Sequence, residues 1–251
     1  MTKSVAIIPA RYHSQRLPAK PLAEIGGKPM IQHVYERTLR AQRVSGVIVA
    51  TDDERIAAAV RGFGGAVTMT PADLQSGSDR IAIVAETLPG DVDFVVNVQG
   101  DEPLISPDMI DEALAVVEGS SADVGTLVKR IEAPDELLNP NVVKVVLSGR
   151  GVCLYFSRCP IPFGRDRAQS DWLAAHPYYK HIGIYAFRRK FLRTYATLEQ
   201  THLERMEKLE QLRILEHGFT ISAGITQHDS IPVDTVEDLE RVRGLYSKSH
   251  E

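Results

Sequence analysis

Residues 4–22 read SVAIIPARYHSQRLPAKPL, and the fold turns on how that stretch divides. Residues 5–10 are apolar throughout, the composition of a strand covered on both faces. The loop that follows carries Arg11, Arg16 and Lys20 but no acidic residue, and Pro9, Pro18 and Pro21 stiffen it. Ligands of open parallel sheets bind beyond the carboxyl ends of the strands. A rigid cationic loop in that position reads as an anion site, with backbone N–H groups and the three cations around a phosphate chain, or as a solvated surface. The stretch lacks G-x-x-x-x-G-K-[ST], so it is no Walker A loop, and no G-x-G-x-x-G turn follows the strand. Gly62, Gly64 and Gly65 follow a helical segment and terminate it.

Working outward, short apolar runs alternate with segments of helical period. The predicted strands are GVIVAT (46–51), AVTMT (66–70) and DFVVNVQ (93–99), the last apolar enough for the sheet centre. Between them, helices are predicted after Pro29 and over 52–63, 78–88 and 107–119. This rhythm predicts an α/β, Rossmann-like, mostly parallel central sheet. After residue 118 the pattern becomes mixed: strands at 123–131, 142–148, 151–157, 180–187 and 219–226, a hairpin turn at SGRG (148–151), one long helix over 202–218 closed by Gly218, and a final helix over 235–246. No linker composition intervenes. Residues 1–251 are expected to form one domain, with a nucleotide-binding half (1–118) and a second mixed lobe (119–251).

Composition bounds the function. The chain of 251 residues is 43% hydrophobic, enough for one large α/β domain, and its net charge is −4. The charge is uneven. Residues 1–43 hold eight Lys/Arg and two Glu, a net of +6, leaving −10 for the remainder. A local cationic patch on an acidic protein suits a small anion better than a nucleic acid or a membrane. Cys153 and Cys159 form neither a disulfide framework nor a zinc spacing, so a cytoplasmic location is expected. No stretch approaches the apolar length of a membrane helix.

Other candidate sites lie at strand ends and helix starts. In VVNVQGDEPLI (95–105), Asp101 follows the central strand. A carboxylate there suits Mg²⁺, which takes few protein ligands and keeps phosphate oxygens, or it forms the turn of G-D-x-P. QSGSDRI (75–81) is a small-residue loop entering a helix: its backbone could approach a base or ribose with Arg80 at the rim, or Ser76 or Ser78 is simply the N-cap. Asp234, three residues before Glu237, reads as an N-cap that could also ligate a metal. His181 and Tyr185 share a face if YKHIGIYAF (179–187) is a strand. In MEKLEQLRIL (206–215), Met206, Leu209, Leu212 and Ile214 cover much of a helix, which brings Glu210 or Gln211 near packed surface.

Taken in order, IIPARYHSQRLPAKPL, ATDDERI, SGSDRI, VVNVQGDEPLI, NPNVVKVV, LYFSR, KHIGIYAF, MEKLEQLRIL and VDTVEDLERVR closely resemble the CMP-Kdo synthetase family, 3-deoxy-manno-octulosonate (Kdo) cytidylyltransferases of lipopolysaccharide synthesis. The resemblance spans about residues 4–245. It implies a nucleotide-diphospho-sugar transferase fold, a homodimer, and the reaction of CTP and Kdo to CMP-Kdo and pyrophosphate with Mg²⁺. Carried over by motif, Ala10, Arg11, Arg16 and Lys20 would hold the triphosphate. Gln75, Ser76, Gly77, Arg80 and Gln99 would line the nucleoside and its surroundings. Asp101 and Asp234 would ligate the metal; His181, Tyr185, Glu210, Gln211 and Arg158 would face the sugar acid. Lys20, Arg11, Arg16 and Asp101 are the expected catalytic set. IPFGRDR (161–167) and HDSIPVDT (228–235) resemble a branch that acts on 8-amino-Kdo; that sugar or another ulosonic acid is the alternative acceptor. A nucleotide-binding module without catalysis is the reading from another class, and the missing glycine fingerprint opposes a Rossmann oxidoreductase.

Overall fold

The computed structural model describes residues 2–13, 16–74 and 76–248. The first half runs β1 (Lys3–Ala10), β2 (Glu24–Ile25), β3 (Lys28–Pro29), α1 (Met30–Thr38), β4 (Gly46–Thr51), α2 (Glu54–Gly62), β5 (Val67–Met69), α3 (Gly77–Thr87), β6 (Val92–Asn97) and α4 (Pro107–Glu118). The second half runs β7 (Val124–Arg130), α5 (Pro134–Leu138), β8 (Lys144–Leu147), β9 (Cys153–Ser157), α6 (Trp172–Ala175), β10 (Tyr179–Arg188), α7 (Arg189–Tyr195), α8 (His202–Glu207), α9 (Gln211–Glu216), β11 (Ile221–Ile225) and α10 (Val236–Lys248).

One sheet takes strands from both halves, in the order β11-β7-β10-β6-β1-β4-β5, with β8 and β9 extending from β10. β6, β1, β4 and β5 are mutually parallel, as are β7 and β11; β10 runs antiparallel to both β6 and β7. The fold is therefore the mostly parallel α/β sheet that the apolar runs predict.

The two-residue period of a strand explains the layers. From β1, Ala6, Ile8 and Ala10 enter a core with Ile31 and Val34 of α1, Ile56 of α2 and Met109 of α4. Val5 and Ile7 enter the opposite core with Ile81 and Val84 of α3, Phe191 of α7 and Leu212 of α9. A third cluster joins Leu17 of the basic loop to Val233, Leu239 and Val242 near the C-terminal end of the chain. This last cluster brings the loop after β1 against the segment that enters α10.

The predicted long helix over 202–218 is two short ones. Lys208 adopts φ 54, ψ 48, a left-handed conformation that ends α8, and α9 restarts with Glu210 as its N-cap. A buried ion pair spans the break: Arg213 Nε and Nη2 donate to the Glu204 carboxylate at 2.8 and 2.6 Å. Met206, counted as apolar helix surface in the sequence, is 71% exposed as a result. Gly218, at φ +81, does close α9. α7 follows β10 directly and was not expected from the sequence.

Candidate active site

The carboxyl ends of β1 and β6 open into a cleft of about 910 Å³. Its walls include Ala10 at the end of β1, Arg11, Arg16 and Lys20 from the basic loop, Ser76 and Gly77 from the start of α3, and Gln99, Asp101 and Asp234. Gly100 lets the turn after β6 pass close to β1, since a Cβ there would lie 2.7 Å from the Pro9 carbonyl oxygen. The basic loop holds its own strained residue. Ala19 sits at φ 54, ψ 26, a region that costs a non-glycine residue free energy, and a 3-10 turn (Lys20–Leu22) follows it.

Two of the loop's cations are already partnered. Lys20 Nζ lies 2.7 Å from Asp101 Oδ2 and 3.1 Å from Asp234 Oδ1, and Arg16 Nη2 lies 3.0 Å from Asp234 Oδ2. The Asp101 backbone carbonyl accepts a hydrogen bond from the Val233 N–H at 2.9 Å, which locks the two acidic segments together. Arg11 is exposed and forms no ion pair among the described residues.

Asp234 does not cap α10. That role falls to Thr235, whose Oγ1 accepts from the Asp238 N–H at 3.2 Å while the Asp238 carboxylate accepts from the N–H groups of Asp234 and Thr235. A threonine at the cap leaves the Asp234 carboxylate free to turn into the cleft. The two carboxylates fit a magnesium ion on observation: both already converge on one cation, the Lys20 ammonium, and Mg²⁺ is held by one or two carboxylates plus substrate phosphates.

Ser76 is the N-cap of α3, in a reciprocal capping box with Asp79. The N–H end of an 11-residue helix thus faces the cleft, a favourable place for anionic or acceptor groups. Gln75 lies outside the described residues. Arg80 corrects the sequence reading. It lines the cleft, but at 3% exposure it is held in the wall rather than at the rim, with its guanidinium 3.0 Å from Asp52 Oδ2 and bonded to Thr70 Oγ1. It ties the start of α3 to the loop after β5 and to the end of β4.

A second cavity of about 260 Å³ adjoins the first. Tyr185, Phe187, Tyr195, Lys208, Glu210 and Gln211 line it, and Ser78, Asn97, Gln99 and Glu210 line both cavities. Ser78 Oγ donates to Glu210 Oε2 at 3.1 Å, and Gln99 Nε2 reaches the Gly183 carbonyl at 3.4 Å. Burial among packed atoms pushes the Glu210 carboxyl pKa upward. Burial, and then the nearby Glu210, raise the hydroxyl pKa values of Tyr185 and Tyr195.

The sugar-side candidates separate. Tyr185, Glu210 and Gln211 come together in the small cavity. His181 lines neither cavity. Its ring lies 5.2 Å from that of Tyr185, on the shared face that strand alternation predicts, and its Nε2 is 3.1 Å from Thr126 Oγ1. Burial lowers its pKa to about 4. Arg158 also lies off both cavities. Its guanidinium donates to the backbone carbonyls of Glu207, Pro140 and Lys208, at 2.7, 3.0 and 3.4 Å, so it braces the break between α8 and α9. Sequence reasoning missed Asn97, Tyr195 and Lys208. Asn97 did leave a signal, as the polar residue inside the apolar run VVNV; Tyr195 and Lys208 depend on an unforeseen helix and an unforeseen helix break.

With this geometry in hand, comparisons place the chain among known proteins. A family model described as cytidylyltransferase matches residues 5–222. The chain is 54% identical over 243 residues to a 3-deoxy-manno-octulosonate cytidylyltransferase of Geobacter sulfurreducens, covering 94% of this chain and 96% of that protein. It is 51% identical over 248 residues to a protein of the same name from Solibacter usitatus, covering 98% and 96%. Its structure is similar to that of a CMP:2-keto-3-deoxy-manno-octonic acid synthetase complexed with CTP, at a TM-score of 0.91 and 43% identity, covering 99% of this chain and 100% of that one.

Proposed function

The chain belongs to the cytidylyltransferase family, and from that premise we propose how its two cavities activate Kdo with CTP. The observation that carries the assignment of cavities is their shared wall of Ser78, Asn97, Gln99 and Glu210. CTP occupies the large cavity, whose loop cations suit a polyanion, and Kdo occupies the small one, which offers hydroxyl, carboxamide and carboxylate groups. The anomeric hydroxyl of Kdo then meets the α-phosphorus at the shared wall.

Transfer of this kind depends on positioning and charge neutralisation more than on proton chemistry. The bond from the anomeric oxygen to the α-phosphorus forms as the bond to pyrophosphate breaks, and the hydroxyl proton passes to the water of the cavity. Arg11, Arg16 and Lys20 offset charge on the phosphates. Ser76 and Gly77 present backbone N–H groups at the start of α3, and Gln75 and Gln99 belong to the same nucleotide-side set, with Arg80 part of that wall and held there by Asp52 and Thr70. Tyr185, Glu210 and Gln211 orient the sugar acid, and Lys208 is a cation near its carboxylate. His181 and Arg158 support this wall from outside it. Asp101 and Asp234 would hold Mg²⁺, which when bound supplies charge neutralisation at the phosphates and acidifies the attacking hydroxyl.

Homodimer formation, a cytoplasmic location and a role in lipopolysaccharide synthesis belong to the same proposal. Exposed apolar side chains of the second half, Leu154 at 59% and Phe163 at 75%, supply surface for a second copy. Among the described residues no helix is long and apolar enough to cross a membrane.

Pyrophosphate release with Mg²⁺ tests the reading. CTP with Kdo should support it, with UTP, ATP and GTP well below CTP. Release with 8-amino-Kdo alone would move the acceptor while keeping the chemistry, and release with no acid would overturn the proposal.

A further inference from the structure

Asn97 is the last residue of β6, in register with Ile7 of β1 and Tyr185 of β10. It is 3% exposed, and its side-chain Oδ1 is buried without a hydrogen-bond partner among the described residues. Leaving a buried acceptor unsatisfied costs free energy, whereas an apolar residue of the same shape costs nothing of the kind. Val95, which shares its face of the strand, is apolar and buried, so a hydrocarbon suits this face. The amide is also placed where a ligand can reach it. Asn97 lines both cavities, on the wall shared with Ser78, Gln99 and Glu210.

The neighbouring polar groups on this wall are engaged elsewhere: Ser78 donates to Glu210, and Gln99 donates to the Gly183 carbonyl. Among the described residues, the buried side-chain atom left without a partner at the seam is an acceptor, the Asn97 Oδ1. An acceptor selects a donor, and it disfavours phosphate oxygens, which carry none. A hydroxyl of the polyhydroxylated acid fits this requirement.

From this we infer that Asn97 is a specificity-determining residue for the acceptor, its Oδ1 accepting a hydrogen bond from a Kdo hydroxyl at the seam between the cavities. A carboxamide is too weak a base to remove the proton, so Asn97 orients the hydroxyl and does not activate it. The inference rests on the placement of Kdo in the small cavity. It adds a discrimination rule: an acid without a hydroxyl at that point leaves the buried oxygen unpaired and is rejected, as sites built around a polar partner reject analogues lacking it.

Asn97→Leu tests the assignment. It removes the acceptor while keeping four side-chain heavy atoms branched at Cγ. The Kdo KM should rise on the order of 10- to 100-fold. The Kd for CTP, titrated by calorimetry without sugar acid, should stay within threefold, and the Tm of the free protein should hold or rise, because an unsatisfied group has gone. Kdo analogues each lacking one hydroxyl complete the test: against one of them the variant and the parent should perform equally, which identifies the partner hydroxyl. If Leu disturbs folding, Asn97→Thr and Asn97→Val replace it, equal in shape and differing by one hydroxyl; Thr should keep the lower Kdo KM. A Kdo KM within twofold of the parent for Leu, or for both Thr and Val, overturns the inference. So does a joint loss of Tm and CTP affinity, the signature of a structural role. Should the parent itself release no pyrophosphate with Kdo, the placement of Kdo fails instead, and the two failures stay distinct.

Discussion

The Lys20 ammonium lies 2.7 Å from the Asp101 carboxylate, joining the loop after β1 to the turn after β6. Lys20 also reaches Asp234 at 3.1 Å, so one internal cation occupies both carboxylates assigned to the metal. Nucleotide phosphates and magnesium would divide this arrangement between them, the phosphates drawing the lysine and the ion taking the carboxylates.

Replacing Lys20 with Met removes that internal competitor. Mn²⁺, followed by its paramagnetic signal, should bind the nucleotide-free variant about tenfold more tightly than the parent. Turnover with CTP should fall on the order of 10²- to 10³-fold, because the same residue is assigned to the phosphates. Unchanged Mn²⁺ affinity would mean that the ammonium and the ion do not compete.

Asp101→Asn keeps the shape and removes the charge. Steady-state turnover should drop on the order of 10²- to 10³-fold, while calorimetric CTP affinity changes less than threefold. Near-normal turnover would remove Asp101 from the metal assignment.

The Glu204–Arg213 pair, with side chains 5% and 7% exposed, holds α8 and α9 across their break. Removing one partner of a buried pair leaves the other charge uncompensated, at about 3–5 kcal/mol. Arg213→Met should lower the urea midpoint accordingly. It should also raise the Kdo KM more than the CTP KM, since Glu210 and Gln211 stand at the start of α9.

His181 makes stability depend on pH. Its folded pKa, about 4, is below the ordinary value of 6.5 because burial disfavours the imidazolium. The unfolded chain therefore binds the extra proton between these values, and stability is lost as pH falls from about 6.5 toward 4. The ring's neighbours are the uncharged Thr126, Phe156 and Tyr185. His181→Gln should flatten the fall in urea midpoint between pH 7 and pH 5; an unchanged slope would assign it to other groups.

The sheet was legible in the sequence because strands buried on both faces must be apolar at nearly every position, as in residues 5–10 and 93–98. Helix ends were legible where a side chain or a glycine fixes them, as at Ser76 and Gly218. The break at Lys208 was not, because nothing in MEKLEQLRIL marks a left-handed residue; the Glu204–Arg213 pair that flanks it, and Arg158 from another strand end, hold it in place. Asp234 was misassigned as a cap because Asp is intrinsically the better cap of the neighbouring Asp and Thr, while in the fold its carboxylate pairs with Lys20 and Thr235 takes the cap. Arg80 looked like a rim residue because its partner Asp52 lies 28 positions away and on another strand end. The cationic loop was readable from charge alone, whereas the pairing of Lys20 and Arg16 with acids was not.

The contact between Lys20 and Asp234 spans 214 residues. During synthesis the cationic loop emerges almost at once, but its second carboxylate arrives only after residue 234 has left the ribosome. Until then a growing chain carries an anion-attracting loop with half of its acidic counterpart. With Asp234 assigned to the metal as proposed, partial translation products would lack catalytic competence, and measured turnover would report chains made and docked through the start of α10.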